Sequence, residues 1–149
     1  MKKIENFEKK HLDGVEALEK ECFHSPWTRE GLEEEIENDG SHFLVLTEDE
    51  SVIGYIGVKE ICSEAYITDL AVTEPKRRCG SGSLLLKAAI DGAKERQCDF
   101  ITLEVRESNL KAISLYEKSG FNCLGKRKNF YTNPAEDALI YTLYFRDSL

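Results

Sequence analysis

Three consecutive cations, Lys76, Arg77 and Arg78, lead into the small-residue run Cys79-Gly80-Ser81-Gly82-Ser83. An apolar stretch ending at Val72 precedes them, and an amphipathic segment follows in which Leu86, Ala89, Ile90 and Ala93 recur at helical spacing. A strand, a glycine loop and a helix in that order can hold a phosphate. Glycine lets the backbone curl and lets a ligand approach closely. The first N–H groups of the helix lack intrahelical partners, and the helix dipole adds partial positive charge there. The competing reading is an ordinary strand-to-helix turn whose glycines serve only the bend, and a short glycine motif alone does not decide between them. No Gly-Lys-Ser/Thr follows, so this is not a Walker loop. The full GxGxxG dinucleotide spacing is absent too.

Two further positions carry chemistry. Glu104 sits between Leu103 and Val105 in a strand-like segment. There it faces either water or a cleft, and only burial in a cleft raises a carboxyl into the range useful for taking a proton. Asn109, Ala112 and Tyr116 are spaced i, i+3, i+7 and share one helical stripe. Tyr116 on that stripe either faces a groove or closes a core with its hydroxyl tied to a backbone carbonyl.

The elements that must position these residues follow from pattern. Leu12, Val15, Leu18 and Cys22 mark a first helix, and Leu32 and Ile36 a second after the break at Ser25-Pro26-Trp27, so the opening third reads as helical. Segments 42–47 and 51–61 read as an antiparallel hairpin around Glu48-Asp49-Glu50. A third strand runs from Tyr66 to Val72, and a helix from Ser83 to Glu95 follows the loop. Phe100 to Val105 alternates as a strand. Ser108 or Asn109 caps a helix that ends at Gly120. Phe121 to Leu124 and Ala138 to Phe145 read as closing strands. Helices followed by strands interleaved with helices predict an α/β sandwich on a mixed sheet.

With 149 residues, 41% hydrophobic and 32% charged, the chain fits one folded domain, 1–149. No apolar run is long enough for a membrane helix, and no apolar region follows Met1-Lys2-Lys3 as a signal peptide requires. The five cysteines are odd in number and contain no CxxC pair, which argues for reduced cytoplasmic thiols over disulfides or a structural metal site. A net charge of −8 disfavours nucleic acid and suits a cationic partner, although solubility alone also explains it.

The loop Arg77-x-x-Gly80-x-Gly82 resembles the acetyl-CoA motif of the GNAT N-acetyltransferase superfamily. Within it the chain is similar to the ribosomal-protein-alanine N-acetyltransferases, the RimI family. Four more segments carry the likeness: Cys22 to Thr28 (CFHSPWT), Leu70-Ala71-Val72, Leu103 to Asn109 (LEVRESN) onward to Gly120-Phe121, and Arg127 through Tyr131 to Ala138. Together they span nearly the whole chain.

The resemblance implies a GNAT fold with a mostly antiparallel sheet splayed at its centre. It implies acetyl-CoA as co-substrate and no metal. Leu70, Ala71 and Val72 would pair with the pantetheine arm. Arg77, Arg78, Cys79, Gly80, Ser81, Gly82 and Ser83 would line the pyrophosphate site, and Asn109 would bind near the reactive end. Glu104 takes the position of the general base and Tyr116 that of the general acid. Phe23, Trp27, Asp69 and Tyr131 would line the acceptor groove. Asp69 stands where relatives often carry Asn and is a rival base, ranked after Glu104.

The implied acceptor is the N-terminal α-amine of a ribosomal protein, met in the cytoplasm. At neutral pH an α-amine, with a pKa of about 7.7–8.0, is mostly protonated and must lose a proton before it attacks. The alternatives are a GNAT enzyme acting on lysine or a small amine, and a non-catalytic acyl-CoA-binding module. A covalent route through Cys79 lacks a partner, since His11, His24 and His42 all lie far upstream.

Overall fold

The structure is a computed structural model and describes residues 1–77 and 79–145. Seven strands form one sheet: β1 Lys2–Asn6, β2 Leu44–Glu48, β3 Ser51–Ile61, β4 Glu64–Val72, β5 Phe100–Arg106, β6 Asn122–Thr132 and β7 Ala135–Tyr144. Their spatial order is β1-β2-β3-β4-β5-β7-β6. Every pairing is antiparallel except β4 with β5. Helices α1 (Leu12–Cys22) and α2 (Arg29–Glu37) cover one face. Helices α3 (Ser81–Glu95) and α4 (Leu110–Lys118) cover the other. No helix among the described residues is long and apolar enough to cross a membrane.

The expected mixed sheet flanked by helices is present, with differences at β1, at β6 and at the start of α3 besides shifts of two or three residues at other strand ends. The opening third is not wholly helical, because β1 pairs with β2 along the sheet edge. Of its five residues only Ile4 is apolar, so no alternation signals a strand. β6 runs eleven residues where only Phe121 to Leu124 was expected. It is an exposed edge strand, its Lys126-Arg127-Lys128-Asn129 run is polar, and Asn129 adopts φ 55°. Helix α3 starts at Ser81, two residues early, because Gly80 at φ 79° serves as its N-cap.

Two apolar layers sandwich the sheet. Leu85, Leu86, Ala89 and Ala93 of α3 pack on Ile56, Val58, Ile101 and Leu103. On the opposite face Val15, Leu18 and Leu32 pack with Phe43, Val45 and Tyr55.

The site depends on where β4 and β5 part. Their parallel ladder holds only Glu64–Phe100, Ala65–Ile101 and Tyr66–Thr102. Beyond Tyr66 the strands diverge. In the same region β4 carries a bulge: Gly57 pairs with Asp69 and Val58 with Ile67, leaving Thr68 as the extra residue. A bulge reverses which residues face which side. Ala65 and Ile67 belong to the α3–α4 layer, but past Thr68 it is Leu70 and Val72 that pack there. Asp69 and Ala71 are thereby turned toward α1, where Ala71 joins the other layer.

Glycine at position 57 makes room for this turn. A Cβ there would lie 2.3 Å from Thr68 Oγ1 and 2.9 Å from Phe43 Cζ. Gly57→Ala is expected to cost about 1–3 kcal/mol, the usual range for overpacking, read as a lower urea midpoint at unchanged slope. A loss below ~0.5 kcal/mol, the size of a neutral surface change, shows that Thr68 and Phe43 give way freely.

Candidate active site

A cavity of about 570 Å³ opens where β4 and β5 diverge. It runs through the sheet. Tyr116 and Ala112 line it from the α3–α4 side, while Glu19, Phe23 and Trp27 line it from the α1–α2 side. The structure brings Asp69, Leu70, Glu104, Asn109 and Tyr131 to the same space. The eight expected residues that meet here come from six different elements or links, far apart in the chain.

Glu104 follows the alternation of β5. Ile101, Leu103 and Val105 point into the α3–α4 layer, so Glu104 faces the other side. It is held at both oxygens. The Tyr66 hydroxyl donates to Oε1, and Arg127 Nε lies 3.0 Å from Oε2. Burial and Glu104 together push the Tyr66 phenol well above its ordinary pKa, so it stays a donor. Arg127 stacks on Phe130, its Cζ 5.8 Å from the ring centroid.

Tyr116 is buried, packed on Phe121 and Tyr141. Its ring therefore closes a core as one reading held. Its hydroxyl, however, is tied to no backbone carbonyl and finds no partner among the described residues. Burial raises its pKa to about 12, which keeps the O–H intact at neutral pH. Asn109 caps α4, its Oδ1 accepting from the Ala112 amide at 3.2 Å, which leaves its amide N–H groups for a ligand.

Tyr131 lies under the Arg106 guanidinium, 4.3 Å from Cζ to the ring centroid. Arg106 also bonds the Pro134 carbonyl at 2.9 Å and the Asn133 carbonyl at 3.3 Å, tying the β6–β7 turn to β5. Trp27 stands edge-on to Phe43 at 5.8 Å between centroids.

The Asp69 carboxyl is raised. Burial, then the hydrogen bond and charge of Glu19, push it up to about 8. Glu19, on α1, is 1% exposed, and its Oε1 accepts from the Trp27 amide at 2.8 Å. The Tyr55 hydroxyl bonds Glu19 Oε2 and lies 3.0 Å from Asp69 Oδ2. Sequence reasoning missed Glu19 and Tyr55. The signal for Glu19 was present, since it falls on the buried stripe with Leu12, Val15 and Cys22, where an acid is out of place. Tyr55 lies in an apolar strand and gave none.

Ala71 and Val72 at the end of β4 and the described loop residues, Arg77 and Cys79 to Ser83, are not among the residues that line the cavity. The first intrahelical bond of α3 runs from the Leu84 amide to the Gly80 carbonyl at 3.0 Å. The amides of Ser81, Gly82 and Ser83 therefore have no partner within the helix. Gly82 packs near α4, its Cβ direction 3.5 Å from Leu115. The expected basic patch is mostly spent internally. Lys76 pairs with Glu48 at 2.8 Å. Arg77 bonds the Val72 carbonyl at 2.8 Å and approaches Glu21 at 3.9 Å. Cys79 is exposed, and Arg78 lies outside the described residues. No group of three or more potential metal ligands occurs among the described residues.

The mixed sheet parted at its centre and flanked by helices is an acyltransferase architecture, and comparison with known proteins supplies the family. Residues 12–121 match the profile of the Acetyltransferase (GNAT) family. The chain belongs to that family. A Haemophilus influenzae protein named ribosomal protein bS18-alanine N-acetyltransferase is 33% identical over 146 residues, covering 95% of this chain and 97% of its own. A Bacillus subtilis (strain 168) protein, provisionally given that same name, is 37% identical over 138 residues, covering 92% and 91%. The crystal structure of the Escherichia coli ribosomal-protein-S18-alanine N-acetyltransferase superposes with TM-score 0.91 at 29% identity, over 100% of this chain and 97% of that one. The expectations of a GNAT fold, an N-acetyltransferase and a likeness to the alanine N-acetyltransferases are borne out.

A carboxyl whose folded pKa is raised binds its proton more tightly folded than unfolded. Stability is then lost as pH climbs from the ordinary carboxylate range, about 4, to about 8. Asp69→Asn removes that loss. Its melting temperature is expected to match the parent near pH 4 and exceed it at pH 8, by about 2–4 °C for each kcal/mol relieved. Equal melting temperatures at both pH values show that Asp69 is not perturbed.

Proposed function

We propose that this chain moves the acetyl group of acetyl-CoA to the α-amine of a protein's first residue, in the cytoplasm, with an alanine-initiated ribosomal protein of the bS18 kind as acceptor. One observation supports it most: the cavity crosses the sheet, with an unpartnered Tyr116 hydroxyl toward α3 and α4 and carboxyls toward α1. A thioester and an amine can then enter from opposite faces and meet. The relatives' names supply the acceptor class.

In this reading the free amides of Ser81, Gly82 and Ser83, with Arg77, Arg78, Cys79 and Gly80 around them, cradle the pyrophosphate. The gap-facing backbone of Leu70, Ala71 and Val72 pairs with the pantetheine arm. Asn109 donates near the thioester. Phe23, Trp27, Asp69 and Tyr131 contact the acceptor's first residues.

Glu104 accepts the ammonium proton, the neutral nitrogen attacks the thioester carbonyl, and the departing thiolate takes the Tyr116 proton. Both oxygens of Glu104 are engaged, so the arriving amine displaces Arg127 from Oε2. No acyl-enzyme is required when both substrates are held together, since positioning alone is worth roughly 7–11 kcal/mol.

Glu104→Gln is expected to lower kcat at least tenfold, within the usual range for a general base, while acetyl-CoA still binds by calorimetry. Near-normal turnover moves the base to Asp69. Tyr116→Phe should likewise slow kcat with the melting temperature kept, and an unchanged kcat leaves Tyr116 a packing residue.

The acceptor is tested by acetyl-CoA turnover on short peptides with varied first residues, each paired with an N-terminally blocked copy carrying lysine. Turnover only on free N-termini, best with alanine, is expected. Activity on blocked lysine peptides overturns the α-amine reading, because a lysine, with a pKa of about 10.4, is neutral a few hundred times less often.

A further inference from the structure

Beyond the acceptor contact given to Asp69, those steps leave one titratable cluster on the cavity wall without a role. Glu19, Tyr55 and Asp69 come from α1, β3 and β4 and meet through one phenolic oxygen. A phenol has a single proton and donates it once. With both acids ionised, one of the two contacts on Tyr55 would set lone pair against lone pair in a buried site. A proton on one carboxyl resolves this, donated to the Tyr55 oxygen or across to the other acid. No Lys, Arg or His among the described residues pairs with Glu19 or Asp69. The guanidinium among the cavity's lining residues, Arg106, is committed to Glu136 and to the Pro134 and Asn133 carbonyls, while Arg77 is held by Val72 and Glu21 and Arg127 by Glu104.

We propose that Glu19 and Asp69 hold one shared proton across Tyr55, and that this pair is the seat of the acceptor's α-ammonium, which displaces the shared proton on binding. The inference rests on an N-terminal amine entering this cavity. An ammonium offers three N–H donors and positive charge, so it satisfies both carboxylates where one proton did before. The balance is simple: the ammonium enters, the two acids become dianionic around it, and one proton leaves to water. Tyr55 is a positioning residue, and Glu19 and Asp69 together meet the ligand.

The other titratable groups facing the pair are Cys22 from α1, Tyr116 from α4, Tyr131 from β6 and Glu104 from β5. Burial shifts the Cys22 thiol and both tyrosines upward, away from neutrality. Glu104 is held separately by Tyr66 and Arg127. His24 also lines the cavity, so the experiment uses a His24→Asn background.

The test has two arms. Carbon-13 carboxyl NMR of the free enzyme follows Asp69 with pH. Calorimetry of an alanine-initiated peptide binding to the enzyme with coenzyme A, in two buffers of different protonation enthalpy at pH 7, counts protons released. The expected results are an Asp69 carboxyl titrating near 8, lowered at least tenfold in proton affinity by Glu19→Gln, and close to one proton released on binding. Glu19→Gln and Asp69→Asn, both isosteric, should weaken peptide binding and, at peptide concentrations that saturate each variant, abolish the release. An Asp69 carboxyl in the ordinary range overturns the shared proton, whatever the peptide does. Release that persists in both variants comes from the amine and overturns the seat. A peptide that does not bind sinks the N-terminal acceptor and the seat together, while the NMR arm still decides the shared proton.

Discussion

The parting of β4 from β5 after three residue pairs is the constraint on which the rest depends. Within a sheet, backbone N–H and C=O groups normally find partners on both sides. From Ile67 to Val72 on one strand and Leu103 to Arg106 on the other, the groups facing the gap have no strand partner. An interior edge of this kind is costly in an empty protein and is a template for an extended ligand. The divergence also opens a passage through a sheet otherwise closed by two apolar layers. The extra residue at Thr68, which Gly57 accommodates, lies in the same stretch of β4.

The electrostatics follow from the same bulge. By reversing the side-chain alternation it moves Asp69 off the α3–α4 layer, where a carboxyl would have no polar neighbour, and places it beside Glu19 and Tyr55. Glu104 reaches the same face by the plain alternation of β5. Three carboxyls therefore converge on one side of the passage, and a phenol with an intact O–H stands on the other. That polarity matches a cation that must lose a proton on one side and a leaving thiolate that must gain one on the other. The excess of acid over base in the whole chain did not reveal this, because only the internal distribution matters.

How far the sequence could be read divides along physical lines. Segments with strong periodicity were legible: α3 from its apolar stripe, β5 from its alternation, α4 from its Asn109 cap and its stripe of Asn109, Ala112 and Tyr116. Segments on the sheet edges were not, because β1 and β6 bury little and so carry little pattern. The bulge at Thr68 was invisible for a different reason. It is a property of pairing between β3 and β4, and no spacing within β4 announces it. Asp69 was noticed, but its environment was not, since Glu19 and Tyr55 lie 50 and 14 residues earlier in the chain. The cation run carries internal contacts that spacing did not announce: Lys76 and Arg77 anchor the loop to Glu48 and to the end of β4.

A buried acid beside a half-buried one, without a cation to neutralise them, works against the folded state. Desolvation and like charge both oppose ionisation there, and apolar replacements of similar volume are often neutral or stabilising. The surrounding contacts are not those of a tolerated accident: Trp27 donates its backbone amide to Glu19, Tyr55 bridges the two acids, and Asp69 opens on the cavity. Local cost held in place by surrounding hydrogen bonds is characteristic of working sites, where a ligand supplies what the empty protein lacks. In this wall the missing element is positive charge with several N–H donors. A protonated amine has both, and the opening between β4 and β5 leads to this wall.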